Sequence, residues 1–267
     1  MDSFSFTAAD GTKIAARRWL PTQKGRGKIK PAGIVQIAHG MAEHSARYAR
    51  FAKFLNRENI AVYAHDHRGH GLSVDSNGLG YYADNDGWRK VTDDTREFSQ
   101  LIREEFPNTP LVLFGHSMGS FISQQYAIDY GSQIDGLILS ASHGKVGAKA
   151  LLGEQIVAAE MLRKGPHYRS PLIISMTFGS FNKAFKPIAT ESDWLSRDAA
   201  EVQKYIRDPL CGFNCQTRLW LDLLRGMRQI HRADLQQKIP AELPIYIFWR
   251  LGRSGNRRAQ RPGTAKR

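Results

Sequence analysis

The sequence has few cysteines and no long apolar run, and each absence excludes a class of protein. Its 267 residues include only Cys211 and Cys215, which are too few for a disulfide-stabilised secreted scaffold. A lone Cys-x3-Cys also lacks the further ligands of a structural zinc site, so we expect two reduced thiols and no bound metal. No stretch of about 18 apolar residues occurs, so a transmembrane helix is not expected.

The N-terminus lacks the basic segment and apolar stretch of a secretory signal peptide, so we expect a cytoplasmic protein. The net charge is +13, and seven Lys or Arg without any acidic residue lie within residues 249–267. Removing these seven charges leaves +6 on residues 1–248. No basic stripe with interleaved aromatic residues is present, so nucleic acid is not an expected partner. A weak attraction to an anionic membrane surface is compatible with this charge, and no pattern indicates an oligomeric state.

Buried strands alternate with amphipathic helices through the first half of the chain. Mainly apolar runs at 33–38, 60–64, 111–114 and 136–140 predict strands, and the first three are each followed by a stretch of helical periodicity. Strands that alternate with helices form βαβ units with right-handed crossovers. The sequence therefore predicts an α/β protein with a mostly parallel sheet flanked by helices.

This alternation is interrupted between residues 143 and 215, where helical segments occur without an obvious strand. We interpret the stretch as a helical lid inserted over the C-terminal edge of the sheet. The chain is then divided into a first core part (1–142), the lid (143–215), a second core part (216–248) and a basic tail (249–267). Four apolar residues of the lid either line a pocket for an apolar substrate or pack the lid onto the core: Ile174, Met176, Phe178 and Phe181.

The strongest motif is Gly115-His116-Ser117-Met118-Gly119, which lies between a predicted strand and a predicted helix. In that context Gly-x-Ser-x-Gly forms a nucleophile elbow, with the serine exposed at a strained turn. Gly115 and Gly119 lack a Cβ, so the strand and the helix can pass close to the serine. We predict that Ser117 is a nucleophile and that the His116 side chain points away from it. The alternative is a glycine-rich turn with an incidental serine.

Attack by a serine on a carbonyl creates a negative oxygen that needs preorganised donors. We predict that the backbone amides of Met118 and Met41 supply them, since Met118 follows the serine and Met41 follows His39-Gly40 at the end of a neighbouring strand. The alternative is that His39-Gly40 is merely a turn that ends the strand.

Three histidines, His65, His67 and His70, surround Asp66 in a glycine-rich stretch. Such a cluster is compatible with a metal site, but its position at the end of a predicted strand favours a hydrogen-bonded structural loop. We expect the structural loop.

Three motifs together resemble one known family. They are His39-Gly40-Met41-Ala42-Glu43-His44-Ser45-x-x-Tyr48, Asp66-His67-Arg68-Gly69-His70-Gly71-x-Ser73 and Gly115-His116-Ser117-Met118-Gly119-Ser120. Residues 1–248 resemble the monoacylglycerol lipase/lysophospholipase branch of the α/β-hydrolase superfamily, also called the serine aminopeptidase-type hydrolase domain. The resemblance implies an α/β-hydrolase fold with a lid, and a Ser-Asp-His esterase without metal or cofactor. Its substrates would be monoacylglycerols, lysophospholipids or similar small acyl esters.

The sequence departs from this family in its last part. In this fold the triad residues follow one another as serine, acid and histidine, and the family places the acid after the strand equivalent to 245–248. Here no Asp or Glu follows Glu242 and no His follows His231. The expected acid, histidine, last strand and last helix are therefore missing, and a triad rebuilt from His143 or His231 has no evident acid.

The tail is rich in Arg, Gly and Ala and has no hydrophobic periodicity. We interpret it as the product of a single-base frameshift near codon 249, and the alternative is a genuine variant with a basic tail. In either case the activity of the chain is in doubt. The competing function is a non-catalytic protein that keeps the pocket for a lipid or a partner. An aminopeptidase would need an acidic group for the substrate amine, and no acidic cluster is evident.

Overall fold

Strands and helices alternate along the part of the chain that the computed structural model describes, which comprises residues 1–23, 27–144, 147–182 and 188–248. The strands are β1 (Asp2–Thr7), β2 (Lys13–Trp19), β3 (Thr22–Gln23), β4 (Gly27–Lys28), β5 (Gly33–Ala38), β6 (Ile60–His65), β7 (Leu111–His116), β8 (Gly136–Ser140) and β9 (Ile245–Phe248). The helices are α1 (Ala49–Arg57), α2 (Gly87–Glu105), α3 (Met118–Tyr130), α4 (Ala148–Lys164), α5 (Pro171–Met176), α6 (Phe178–Phe181), α7 (Ala199–Arg207), α8 (Thr217–Ile230) and α9 (Ala233–Gln236).

Seven of these strands form one sheet in the order β1-β2-β6-β5-β7-β8-β9. The first two strands run antiparallel to their neighbours, and the other five run parallel to one another. This confirms the predicted α/β class with a mostly parallel sheet. The carboxyl ends of the parallel strands lie at one edge of the sheet, which is where ligands bind in such folds.

Both faces of the sheet are covered, because successive side chains of a strand point to opposite faces. On β5, Ile34 packs with Phe98 of α2 and Tyr126 of α3. The next residue, Val35, packs instead with Ala52 of α1. This two-sided burial explains why the strands read as nearly continuous apolar runs.

The segment between β8 and α8 contains four helices, α4 to α7, and no strand within its described residues. Capping residues set the start of two of them: the side chain of Ser170 accepts a hydrogen bond from the Ile173 N–H at α5, and Asp198 accepts one from Ala200 at α7. α4 packs along α8 and so connects this segment to the core. Across the described parts of the chain, no helix combines the length and the apolar character needed to span a bilayer.

The strand β9 forms one end of the sheet in the described region. It pairs with β8 on one side, and all four of its side chains are exposed, including Tyr246 at 64%. The tail at 249–267 lies outside the described residues, so the frameshift hypothesis and the absence of a last strand and helix stay predictions.

Four histidine rings are completely buried at the carboxyl ends of β5 and β6: His39, His65, His67 and His70. Asp66 holds this region together, since it accepts hydrogen bonds from the Arg17 guanidinium and from the backbone amides of Ser45 and Leu72. The cluster is therefore part of a hydrogen-bonded loop, as expected.

The ring nitrogens of His65 and His67 nevertheless have no hydrogen-bond partner among the described residues. A buried imidazole without a partner resists protonation because nothing replaces the water that would solvate its charge. Burial lowers the pKa of His65 and of His70 to about 3 and also lowers that of His67.

We expect acidification from about pH 7.5 to about pH 5 to destabilise the fold. These histidines titrate near pH 6.5 in the unfolded chain, whereas the folded pKa of His65 and His70 is about 3. Between those values the unfolded state binds more protons, so stability falls as the pH falls. Each of the two rings should cost about 2 kcal/mol at pH 5.

Urea unfolding at the two pH values measures this effect. Asp94 acts in the opposite sense because burial raises its pKa to about 6, but one carboxyl offsets only part of the histidine effect. A His143→Gln variant is the control, since His143 is exposed, and it should keep the pH dependence. An equal or greater stability at pH 5 would contradict the prediction.

Candidate active site

Ser117 lies in the turn between β7 and α3, with φ of 51° and ψ of −118°. A positive φ is costly for a residue with a side chain and is found mainly where function requires it. Backbone hydrogen bonds hold the turn, because the Ser117 amide donates to the Ser140 carbonyl and the Ser120 amide donates to the Ser117 carbonyl. This is the strained geometry expected of a nucleophile elbow.

The two glycines of the motif are required by close packing. A Cβ on Gly119 would lie 2.1 Å from the Ala38 carbonyl oxygen, at the end of β5. A Cβ on Gly115 would lie 2.4 Å from the Ser123 hydroxyl and 2.5 Å from the Gly119 carbonyl oxygen. The first turn of α3 is therefore pressed against the ends of β5 and β7, which supports the roles predicted for Gly115 and Gly119.

The turn after β5 lies directly beside the elbow. The position that a Gly40 Cβ would occupy is 3.5 Å from the Ser117 Cβ. Met41, Met118 and Ser117 line the same cavity. The structure therefore brings together the three residues that the sequence analysis assigned to the nucleophile and its two amide donors.

His39 fixes the orientation of the Met41 amide. The His67 backbone N–H donates to Nε2 of His39 at 3.0 Å, so the ring proton is on Nδ1, which donates to the Gly40 carbonyl oxygen at 2.7 Å. In a trans peptide the carbonyl and the following N–H point in opposite directions. Because His39 holds the Gly40 carbonyl, the N–H of Met41 is directed away from the histidine cluster.

Glu43 holds the other side of this turn and was given no role by the sequence analysis. Its carboxylate accepts hydrogen bonds from the Gly40 amide at 2.7 Å, the Tyr48 hydroxyl at 2.8 Å and the Arg47 guanidinium at 2.9 Å. Burial acts to raise the pKa of Glu43, but His116, His39, Arg47 and the Gly40 N–H together hold that pKa below its usual value. A buried carboxylate with three donors is a rigid support for the turn.

Ser117 opens into a cavity of about 460 Å³ between the sheet edge and the helices α6, α7 and α8. Apolar residues form one part of its wall: Phe121, Phe178, Phe181, Trp194, Leu195, Trp220, Leu223, Leu224 and Met227. Polar and charged residues form another part: Glu43, Arg47, Ser196, Glu201 and Tyr205. Of the four apolar lid residues singled out from the sequence, Phe178 and Phe181 line the cavity, whereas Ile174 and Met176 are not among its lining residues.

The comparisons with known proteins agree with this geometry. The sequence profile of the family described as serine aminopeptidase, S33, matches residues 29–248. The chain belongs to this family. It is 28% identical to the monoglyceride lipase of Homo sapiens over 240 residues, which cover 87% of this chain and 68% of that protein. It is 33% identical to the monoglyceride lipase homolog of Monkeypox virus over 203 residues, or 75% of this chain and 62% of that one.

Solved structures show the same α/β-hydrolase fold. A carboxyl esterase from Bacillus coagulans superposes with a TM-score of 0.80 at 28% identity, over 92% of this chain and 78% of that one. A structure described as a lipase in its open form superposes with a TM-score of 0.74 at 26% identity, over 92% of this chain and 79% of that one. These relatives establish the chain as a member of a family of acyl ester hydrolases.

The side chain of His116 does not lie where the sequence predicts it. Its ring lines the cavity that contains Ser117, with Nδ1 lying 3.1 Å from the Ser140 hydroxyl. The expectation that it points away was wrong because it assumed the alternating side chains of a regular strand. The left-handed conformation of Ser117 ends that alternation at the elbow.

His143 also borders the cavity, and its Nδ1 lies 2.9 Å from the Gly144 carbonyl oxygen. His231 lies instead on an adjoining cavity of about 660 Å³, whose wall also includes His143. None of these three histidines is hydrogen-bonded to a carboxylate in the region that the structure describes. Within the described residues, the cavity around Ser117 thus has a serine and amide donors, but no histidine on its wall is hydrogen-bonded to a carboxylate.

We expect Gly119→Ala to destabilise the protein by about 3 kcal/mol or more, because its Cβ would overlap the backbone of Ala38. The matched control is Gly153→Ala in α4, where an added Cβ meets no atom within 4 Å. The control should stabilise the helix by about 0.5–1 kcal/mol. Urea unfolding compares the two variants, and equal stabilities would contradict the close packing at the elbow.

Proposed function

We propose that this chain binds a monoacylglycerol, a lysophospholipid or a similar small acyl ester, and that Ser117 is the nucleophile that attacks its carbonyl carbon. The observation that carries the proposal is the strained elbow at Ser117, which opens into a half-apolar cavity beside the amides of Met41 and Met118. The sequence relatives named monoglyceride lipases support the substrate class.

The proposed reaction follows from these positions. The Ser117 hydroxyl oxygen bonds to the ester carbonyl carbon as its proton leaves to a base, and the carbonyl oxygen becomes negative. The amides of Met41 and Met118 donate to that oxygen, and each such donor is typically worth about 10²–10³ in rate. The alcohol then departs with a proton, and water hydrolyses the acyl-serine to release the fatty acid.

The cavity wall has an apolar part and a polar part, which supports a substrate that is itself amphiphilic. Phe178 stacks on Trp194 with centroids 5.8 Å apart and meets Trp220 edge-on at 5.9 Å, which forms an aromatic surface suited to an acyl chain. Arg47 and Tyr205 lie on the polar part of the wall and suit hydroxyl groups of a glycerol head. The related Bacillus coagulans esterase was solved in complex with glycerol.

We further propose that turnover of the substrate by this chain is impaired. Residues 243–267 contain no Asp or Glu, and residues 232–267 contain no His. In the part of the chain that the structure describes, His116 and His143 border the cavity without a hydrogen bond to a carboxylate. In a serine hydrolase the loss of the triad histidine costs on the order of 10⁶ in turnover.

Two other functions are less well supported. The alternative is a non-catalytic protein, which would use the same cavity to bind a lipid or a partner but would not hydrolyse an ester. An aminopeptidase needs a free carboxylate for the substrate amine. Both carboxylates on the cavity wall are already ion-paired, Glu43 with Arg47 at 2.9 Å and Glu201 with Lys204 at 2.9 Å.

The cytoplasmic location and the weak membrane contact stay predictions.

Labelling with a fluorophosphonate tests the nucleophile. We expect slow labelling of the full chain at Ser117 and none in Ser117→Ala, because the serine is positioned but lacks an oriented base. Mass spectrometry locates the adduct, and the Homo sapiens monoglyceride lipase serves as the reference rate. Labelling as fast as the reference would contradict the impairment, and a complete lack of labelling would favour the non-catalytic alternative.

Binding of a non-hydrolysable ether analogue, 1-O-alkylglycerol, tests the cavity without requiring catalysis. We expect binding to change the fluorescence of Trp194 and Trp220, which line the cavity. Phe178→Ala should weaken this binding about tenfold, because an aromatic contact with the chain is lost. The control is Phe54→Ala, whose side chain is 58% exposed on α1. Equal affinities of the two variants would contradict the assignment of the acyl site.

A further inference from the structure

A histidine, an aspartate and a cysteine from distant parts of the chain meet beside the turn that carries Met41. His44 lies just after this turn, whereas Asp208 and Cys211 follow the lid helix α7. Their ligand atoms all lie within 4.8 Å of one another. Nε2 of His44 is 2.8 Å from an Asp208 carboxylate oxygen, although the two residues are 164 positions apart.

The cluster is buried on one side and open on the other. The side chain of His44 is 8% exposed and that of Asp208 is 29% exposed, while Cys211 is buried. Nδ1 of His44 is buried and has no hydrogen-bond partner among the described residues. Asp208 is thus the most exposed of the three side chains, and the ring of His44 and the sulfur of Cys211 lie buried behind it.

The donor set is one that zinc prefers. Imidazole nitrogen, thiolate sulfur and carboxylate oxygen are all common zinc ligands, at about 2.0–2.3 Å from the metal. Tetrahedral bonds of that length place neighbouring ligand atoms about 3.5 Å apart. The distances in the cluster, from 2.8 Å to at most 4.8 Å, bracket that value.

The nearby charges are compatible with a divalent cation. Arg47 is the cation next to Cys211, and it is neutralised by its 2.9 Å ion pair with Glu43. Asp208 and a Cys211 thiolate would then supply two negative charges for the ion. A lone Cys-x3-Cys predicts two reduced thiols because it lacks further zinc ligands, but the fold brings His44 and Asp208 to Cys211 from distant parts of the chain.

We propose that His44, Asp208 and Cys211 bind one zinc ion through a ring nitrogen, a carboxylate oxygen and the sulfur, with water as the fourth ligand. The thiol proton is released to solvent as the Zn–S bond forms. The segments are already in contact, because the Gly212 amide donates to the Ala42 carbonyl at 2.9 Å. Bound zinc would fasten the end of the lid to the turn at Met41. This inference does not depend on the chemistry of Ser117.

Titration of the full chain with Co²⁺ tests the site directly, because a thiolate ligand gives a charge-transfer band and tetrahedral cobalt gives strong visible bands. We expect one equivalent of Co²⁺ to produce both signals and one equivalent of Zn²⁺ to abolish them. Cys211→Ser should remove the charge-transfer band and weaken Zn²⁺ binding at least about 100-fold. Asp208→Asn should weaken Zn²⁺ binding as well, with the sulfur band retained.

Cys215→Ser is the matched control, since Cys215 is also a buried free thiol but is not part of the cluster. It should bind Co²⁺ and Zn²⁺ as the unchanged chain does. Circular dichroism identifies which variants are folded before titration. The proposal is overturned if the unchanged chain gives no charge-transfer band, or if folded Cys211→Ser and Asp208→Asn both bind Zn²⁺ with unchanged affinity.

Thermal unfolding gives a second readout that requires no spectroscopic metal. A ligand that binds only the folded state stabilises it by an amount that grows with the logarithm of the ratio of ligand concentration to Kd, and so raises the unfolding temperature. Zn²⁺ should therefore raise the unfolding temperature of the unchanged chain and of Cys215→Ser by several degrees, and leave that of Cys211→Ser unchanged. An equal rise in all three proteins would overturn the proposal.

Discussion

The close approach of α3 to the ends of β5 and β7 is the constraint on which the site depends. Gly119 lets the first turn of the helix touch the backbone of Ala38, and Gly115 lets the strand pass beneath the Ser123 hydroxyl. The contact places Ser117 beside the turn at Gly40 and forces its backbone into a left-handed conformation. The strain is maintained because the strands on either side of the elbow, β5 and β7, are packed on both faces and cannot relax.

Buried polar groups then determine which way the neighbouring peptide faces. His39 holds the Gly40 carbonyl and Glu43 holds the Gly40 amide, so the turn is fixed from both sides. A buried polar group that loses its hydrogen-bond partner costs roughly 1–3 kcal/mol of folding stability. The bonds from His39 and Glu43 therefore hold the Gly40 peptide in one orientation. The same burial keeps the histidines neutral, as the lowered pKa of His39 and His67 shows. The sensitivity of the core to acid and the order of the turn at Gly40 therefore both depend on this buried histidine cluster.

The sequence allowed the sheet, the elbow and the turn after β5 to be predicted because each depends on residues close together in the chain. Alternating apolar runs identify the strands, and Gly115 and Gly119 flank the serine that they accommodate. Long-range partnerships were missed for the opposite reason. The His44–Asp208 contact joins segments 164 residues apart, and no local pattern indicates it. The direction of His116 was also missed, because it depends on the backbone angle of Ser117 rather than on residue type.

Under the proposed function, carbonyl recognition and proton transfer depend on different groups of this chain. The groups that would hold an ester, from Gly40 to Met227, all lie within the described core and lid. Proton transfer needs an imidazole oriented by an acceptor. Among the described residues, the hydrogen bonds of His116 and His143 are with a hydroxyl and a carbonyl. Substrate binding depends on the area and shape of the cavity, whereas turnover depends on one correctly placed base. Affinity for an ester and rate of turnover therefore report on different groups, and each has to be measured separately.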